Sequence, residues 1–151
     1  MAVSGFMYSN TPNNAFAQLI SDLGDNEAEG TEIMVALLAA AHTPNQNTHD
    51  NFGDVSGNQV SGTGYTAGGA EITTKSLSTT GRVTTFDGDD VEWTSSTITA
   101  QYAVIYDNTP ALDADKKLIA LIDFGEELSS SDGTFKITWH TDGIFAITVA
   151  E

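Results

Sequence analysis

Three histidines are the side chains of this sequence that could most readily ligate a metal ion. His42 and His49 lie seven residues apart in a polar stretch that also contains Asp50 and Asp54. This spacing matches none of the helical ligand motifs of zinc sites, and loop histidines are usually solvated. His140 falls on the outward side of a predicted strand and is expected at the surface. We therefore expect no metal and no cofactor.

Two acidic clusters, at residues 22–29 and 87–92, are the other groups that could bind a cation. Calcium takes about six to eight oxygen ligands, often from closely spaced carboxylates. Neither cluster has the glycine and the distant glutamate of an EF-hand loop, and turns and helix ends account for most of these acids. Calcium binding stays an open alternative.

Catalytic motifs do not emerge from the remaining residues. The chain has no cysteine, which excludes disulfides, thiolate ligands and cysteine nucleophiles. No serine lies in a Gly-x-Ser-x-Gly elbow, and the glycine-rich run at 62–69 lacks the ending of a phosphate loop. Among 21 acidic residues the sequence nominates no glycosidase pair. We predict that the protein is not an enzyme.

The net charge of −16 comes from 21 acidic and five basic residues. Nucleic-acid binding needs clustered cations, and the only adjacent basic pair is Lys116–Lys117, so nucleic acid is excluded as an expected partner. The charge indicates solubility and repulsion between copies, with docking on a basic surface or cation binding as alternatives. The sequence has neither an apolar run of about 18 residues nor a signal peptide. We expect a soluble protein made in the cytoplasm, with no membrane partner.

One helix and a series of strands must position these residues. Thr11-Pro12 is typical of a helix start, and Gly24 of a helix end. Between them the apolar residues follow helical spacing: Phe16, Leu19, Ile20, Leu23. Residues 1–30 are thus predicted to be an N-terminal arm plus this helix, within a single domain spanning 1–151.

Strand-like segments dominate the rest of the chain. They lie at 32–38, 71–77, 82–86, 90–93, 98–106, 118–124, 134–140 and 144–149. In the segment 134–140, Phe135, Ile137 and Trp139 are predicted to face inward. The dipeptides Asp87-Gly88, Asp132-Gly133 and Asp142-Gly143 predict turns. Since no helices separate these strands, the predicted fold is mainly β, an antiparallel β-sandwich or jelly roll with one N-terminal α-helix.

The stretch between the first two strand segments, 39–64, is polar and carries no strand period. We predict a long loop there, with a short helical turn beginning at Thr48. Loops of this length are uncommon in small domains and are often functional.

Several stretches, taken in order, carry a family resemblance. They are 35–38 (VALL), 42–50 (HTPNQNTHD), 60–70 (VSGTGYTAGGA), Trp93 with 98–106 (ITAQYAVIY), 121–125 (LIDFG) and 133–139 (GTFKITW). As a set they resemble small virion structural proteins of tailed bacteriophages, over residues 31–150. The resemblance implies a particle component, located in the virion and made in the host cytoplasm. We favour a capsid decoration (cement) protein that binds the outer capsid surface and stabilises the head.

Other roles stay open at this point. A phage tail, fibre or head-tail completion protein fits the resemblance almost as well. A carbohydrate-binding β-sandwich module is a further alternative, because Trp93, Trp139 and several tyrosines could stack on sugars.

The resemblance implies the major capsid protein or another virion protein as the partner, and a homo-oligomer, with a trimer favoured. Partner contacts are expected in irregular segments. The candidates are Val3, Phe6, Met7 and Tyr8 in the N-terminal segment, and His42, His49 and Asp50 in the polar loop. The N-terminal residues either form an arm that orders on a partner or pack on their own domain.

Overall fold

The computed structural model of the protein describes residues 2–16 and 33–150. One short helix and eight strands lie in these ranges, together with two 3-10 helices at Phe52–Asp54 and Ser56–Asn58. The elements are β1 (Ser4–Met7), α1 (Thr11–Phe16), β2 (Ile33–Leu38), β3 (Ala70–Glu71), β4 (Ser76–Thr80), β5 (Val83–Asp87), β6 (Val91–Asp107), β7 (Leu118–Ile137) and β8 (Phe145–Thr148).

The strands form two antiparallel sheets. The large sheet has the order β1-β7-β6-β2-β3, and the small sheet has the order β4-β5-β8. The fold is mainly β and β-sandwich-like, with one short helix, which confirms the predicted fold class. The helix begins at Thr11, as predicted, whereas Leu19, Ile20 and Leu23 lie outside the described residues.

A long two-stranded ribbon forms the centre of the fold. β6 and β7 pair from Val91↔Ile137 to Tyr106↔Leu118. The prediction of separate strands at 90–93 and 98–106, and at 118–124 and 134–140, was therefore wrong. The polar residues between the predicted segments belong to the two long strands and continue their pairing. Ser96 is buried there, and its hydroxyl forms a hydrogen bond with the Ser130 hydroxyl at 2.7 Å.

Two other predicted features differ from the structure. The predicted strand 71–77 is two strands, β3 and β4, and Lys75 between them is buried, with its ammonium 3.5 Å from the Glu71 carboxylate. The predicted turn at Asp132-Gly133 lies inside β7, where Asp132 adopts a φ of 49°. A local backbone distortion within the strand takes the place of a turn between strands.

Both faces of the large sheet are buried. The first core lies between the two sheets and contains Val35 and Leu37 of β2 together with Phe86 of β5. The second core lies on the opposite face, where Ala36 and Leu38 of β2 point. A strand that is buried on both faces has a nearly continuous run of apolar residues, which explains the sequence of β2.

The polar loop covers the second core. Phe52 and Val55 are buried there, and the Phe52 ring stacks on Tyr106 with centroids 3.9 Å apart. The helical turn predicted at Thr48 begins four residues later, at Phe52. The N-terminal segment joins this layer, since Tyr8 is buried in the second core and the Thr11 hydroxyl donates to the Ile119 carbonyl at 2.9 Å.

Candidate partner-binding groove

An apolar groove of about 640 Å³ opens between the edges of the two sheets. One wall is β1, which is an edge strand of the large sheet, and the other includes β8, which is an edge strand of the small sheet. Phe124, Phe135 and Ile137 line the groove and belong to the first core. The groove is therefore a side of the sandwich at which the first core comes close to the surface.

The N-terminal strand divides its side chains between two environments. The Phe6 ring packs edge-on against Tyr8 at 5.3 Å, and both lie on the second core. Because successive side chains of a strand point to opposite faces, Val3, Gly5 and Met7 face the groove. Val3 is 64% exposed at its mouth.

Gly5 allows β1 to lie close against β7. A Cβ atom at this position would be 2.8 Å from the Leu121 carbonyl oxygen, which is closer than real Cβ contacts come. The glycine thus determines how close this wall of the groove lies to β7.

Trp139 stands in the second wall, beyond the end of β7. Its indole Nε1 donates to the Asp89 carbonyl at 2.9 Å, and its amide donates to the Asp90 carboxylate at 3.0 Å. Phe135 and Ile137 face the core as predicted, but Trp139 is only half-buried against it. Trp139 packs against the same core as Phe135 and Ile137, on the predicted side. It lies beyond the end of β7, where its hydrogen bonds to the β5–β6 turn take the place of strand pairing.

The charged groups around the groove are mostly acidic. Lys136 lies 3.0 Å from the Asp90 carboxylate, and His140 lies 3.3 Å from Asp142. The amide of Trp139, followed by Lys136, lowers the pKa of Asp90 below its usual value. β7 adds Asp123, Glu126 and Glu127 between the groove-lining residues Ile122 and Leu128. Lys136 and His140 thus each have an acidic neighbour, and the carboxylates on this side outnumber the lysine.

His42 and His49 lie elsewhere, beside the second core. Their ring centroids are 5.5 Å apart, and the His42 ring also contacts Tyr102. His42 is 4% exposed, and its Nδ1 lies 3.4 Å from the Asn58 side-chain oxygen. Burial, and to a smaller extent His49, lowers the pKa of His42 below its usual value, against the effect of Asn58. Within the described ranges, His42 Nε2 and His49 Nδ1 are buried without a hydrogen-bond partner.

Asp50 links the polar loop to two other elements. Its carboxylate accepts a hydrogen bond from Lys117 Nζ at 2.7 Å and from Asn14 Nδ2 at 2.8 Å. Burial raises the pKa of Asp50, but these hydrogen bonds outweigh burial and hold it below the usual value. Asp50 thus fastens the loop to α1 and to the start of β7.

The predicted contact residues therefore separate into two groups. Val3 and Met7 lie at the groove, and Phe6 both borders the groove and packs on the second core. Tyr8 and the three loop residues lie on or beside the second core. Sequence reasoning missed Leu128, Trp139 and Phe145 as groove residues. The alternation in 134–140 was the one local signal for Trp139.

In the described part of the chain, no group of three or more histidine, aspartate or glutamate side chains is arranged to hold a metal ion. In the cluster at 87–92, Asp89 accepts hydrogen bonds from Thr73 and Thr74. The cluster at 22–29 lies outside the described residues.

No helix within 2–16 and 33–150 has the length and apolar character needed to cross a membrane.

Comparison of the chain with protein-family models, with curated proteins and with solved structures finds no match.

Proposed function

We propose that this chain is a capsid decoration (cement) protein of a tailed bacteriophage, and that it binds the major capsid protein through the apolar groove. The observation that carries the proposal is the groove between two sheet edges, β1 and β8. The likeness of residues 31–150 to virion structural proteins supports a particle component, and the groove supplies a surface on which such a component can attach.

Apolar side chains extend the groove onto the surface. Val3 and Leu128 line it and are exposed, and Ile147 of the adjacent strand β8 is exposed as well. Soluble monomers rarely leave a large contiguous apolar patch in water, and free strand edges are usually protected because they pair with other chains. Covering this side with a capsid neighbour would bury both features at once.

The charge of the chain fits attachment to a less acidic surface. A net charge of −16 keeps free copies apart at low salt and speeds their encounter with a basic patch. The proposed trimer would then form on the particle, where contacts with the capsid add to the contacts between copies.

Binding to phage heads that lack this protein tests the proposal. Heads and tails are incubated separately with the protein, pelleted, and assayed for bound chain. We expect saturable binding to heads and a higher temperature of head disruption. Binding to tails alone would instead support the tail alternative, and binding to neither would refute the proposal.

A matched pair of variants tests the groove itself. Val3→Asp places a charge at the groove, whereas Leu112→Asp places the same charge in the β6–β7 loop. The two side chains are 64% and 66% exposed. Buried apolar anchors dominate interface energies, so we expect Val3→Asp to weaken head binding by about tenfold or more, and Leu112→Asp to leave it unchanged. Equal effects would exclude the groove as the binding surface.

A further inference from the structure

We infer that the groove receives an extended chain segment, which adds as a strand to the free edge of β1 and carries alternating apolar and basic side chains. This inference rests on the proposed function in one respect: the capsid protein proposed above would supply the segment. The chemistry of the segment follows from the backbone, the side chains and the charges of this side of the molecule.

The backbone of β1 has hydrogen-bonding groups that point away from its sheet. The Tyr8 amide donates to the Ile119 carbonyl of β7 at 3.0 Å. Since the backbone groups of a strand alternate in direction, the amides of Gly5 and Met7 point to the other side. The Gln46 side chain confirms this direction, because its Nε2 donates to the Met7 carbonyl from that side at 2.9 Å.

Of the described residues, Gln46 covers the Met7 end of this edge. Within the described residues, β7 is the only strand that pairs with β1, so the Gly5 backbone and the Met7 amide face the groove opening. An added strand satisfies such groups with main-chain hydrogen bonds, which bind an extended segment and not a helix. The edge is four residues long, from Ser4 to Met7.

The two faces of β1 determine which side chains suit the added strand. On the groove face, the added strand would lie beside the apolar side chains of Val3 and Met7, so every second side chain of the segment should be apolar. On the opposite face, Ser4 pairs with Asp123 of β7. Ser4 is small, so a long cationic side chain on the added strand can reach toward the Asp123 carboxylate.

Charge also selects between a foreign segment and a second copy of this chain. Glu126 and Glu127 lie on β7 between the groove-lining residues Phe124 and Leu128, and Asp123 lies on the opposite face of the sheet. A second copy would bring another −16 charges to this side, which like-charge repulsion opposes at low salt. A neutral-to-basic segment of another protein is the occupant that the electrostatics favour.

Capped octapeptides serve as the probes. The test peptide alternates Val and Lys, and the charge control alternates Val and Glu. A third peptide repeats the Val–Lys sequence with N-methyl groups on alternate residues, which removes amide donors and keeps the side chains. Amide hydrogen exchange of the full-length protein is followed by NMR at low salt, residue by residue.

We expect the Val–Lys peptide to slow exchange at the amides of Gly5 and Met7 by about tenfold or more, since strand pairing protects amides. The Ile147 amide of β8 should change little. N-methylation should weaken binding by about tenfold, and the Val–Glu peptide should give no protection.

Three results would overturn the inference. One is the absence of protection at Gly5 and Met7 with the Val–Lys peptide. Another is equal protection by either control peptide. The third is protection that appears with rising protein concentration and no peptide, which would identify a second copy as the occupant. None of these measurements involves phage heads, so a failure here and a failure of head binding remain distinguishable.

Discussion

Replacing Phe52 with alanine tests whether the polar loop is a structural layer of the protein. Phe52 is 2% exposed and stacks on Tyr106 with ring planes 8° apart. Lys116 Nζ lies 5.9 Å from the center of the same ring. The substitution removes a buried ring that this loop contributes to the second core, although the sequence predicts a polar loop without strand period there.

The magnitude follows from burial. Truncation of a fully buried phenylalanine to alanine costs about 3–5 kcal/mol, and ring stacking contributes about 0.5–1.5 kcal/mol beyond burial. We expect the middle of the first range, about 4 kcal/mol. For a domain of this size, each kcal/mol lowers the thermal midpoint by about 2–4 °C, so the midpoint should fall by about 8–16 °C.

Urea unfolding followed by circular dichroism measures this free energy. Leu112→Ala is the control, because Leu112 is 66% exposed and its truncation should change stability by less than about 0.5 kcal/mol. If Phe52→Ala changed stability as little as the control, the loop would not be packed as described, and the assignment of a second core would be refuted.

Three further measurements follow from the same structure. Trp93→Ala should lower the free energy of unfolding by about 3–5 kcal/mol, since Trp93 is buried in the first core. Trp139→Ala should lower it by about 2 kcal/mol, since Trp139 is half-buried. Equal losses in urea unfolding would contradict this placement of the two tryptophans. His42 has a folded-state pKa below its usual value, so the unfolded chain binds its proton first and stability falls as the pH drops through about 6.5. The thermal midpoint of the wild type should therefore fall more between pH 7 and pH 5 than that of His42→Gln, and parallel curves would show that His42 does not contribute. Light scattering should find a monomer at low salt, because copies of charge −16 repel one another; a stable oligomer at low salt would contradict the repulsion argument.

The strand pattern was predictable wherever the signal is local. The continuous apolar run of β2 and the alternation at Phe135 and Ile137 are properties of neighbouring residues, and both matched the structure. The continuity of β6 and β7 was not predictable, because it depends on cross-strand hydrogen bonds such as Ser96–Ser130. Polar residues that would break a strand in isolation are satisfied by their partners in the ribbon.

The groove was less accessible to sequence reasoning. β1 contains glycine, shows no clear period of two, and pairs with residues far along the chain. The sequence therefore left two interpretations of the N-terminal segment open, an arm that orders on a partner or a segment that packs on its own domain. The structure favours packing on its own domain, since Ser4–Met7 pairs with β7. The groove itself results from the relative positions of two sheet edges, and no local pattern encodes such a position. The apolar residues of the N-terminal segment, such as Val3, were the available hint.

An electron cryomicroscopy reconstruction of phage heads incubated with the wild-type chain tests whether the groove side attaches this protein to the head, as proposed. We expect added density on the outer capsid surface, with β1 and β8 facing the shell and the second-core loop facing solvent. Density in which the groove faces solvent, or heads that carry no added density at saturating protein, would contradict the proposal.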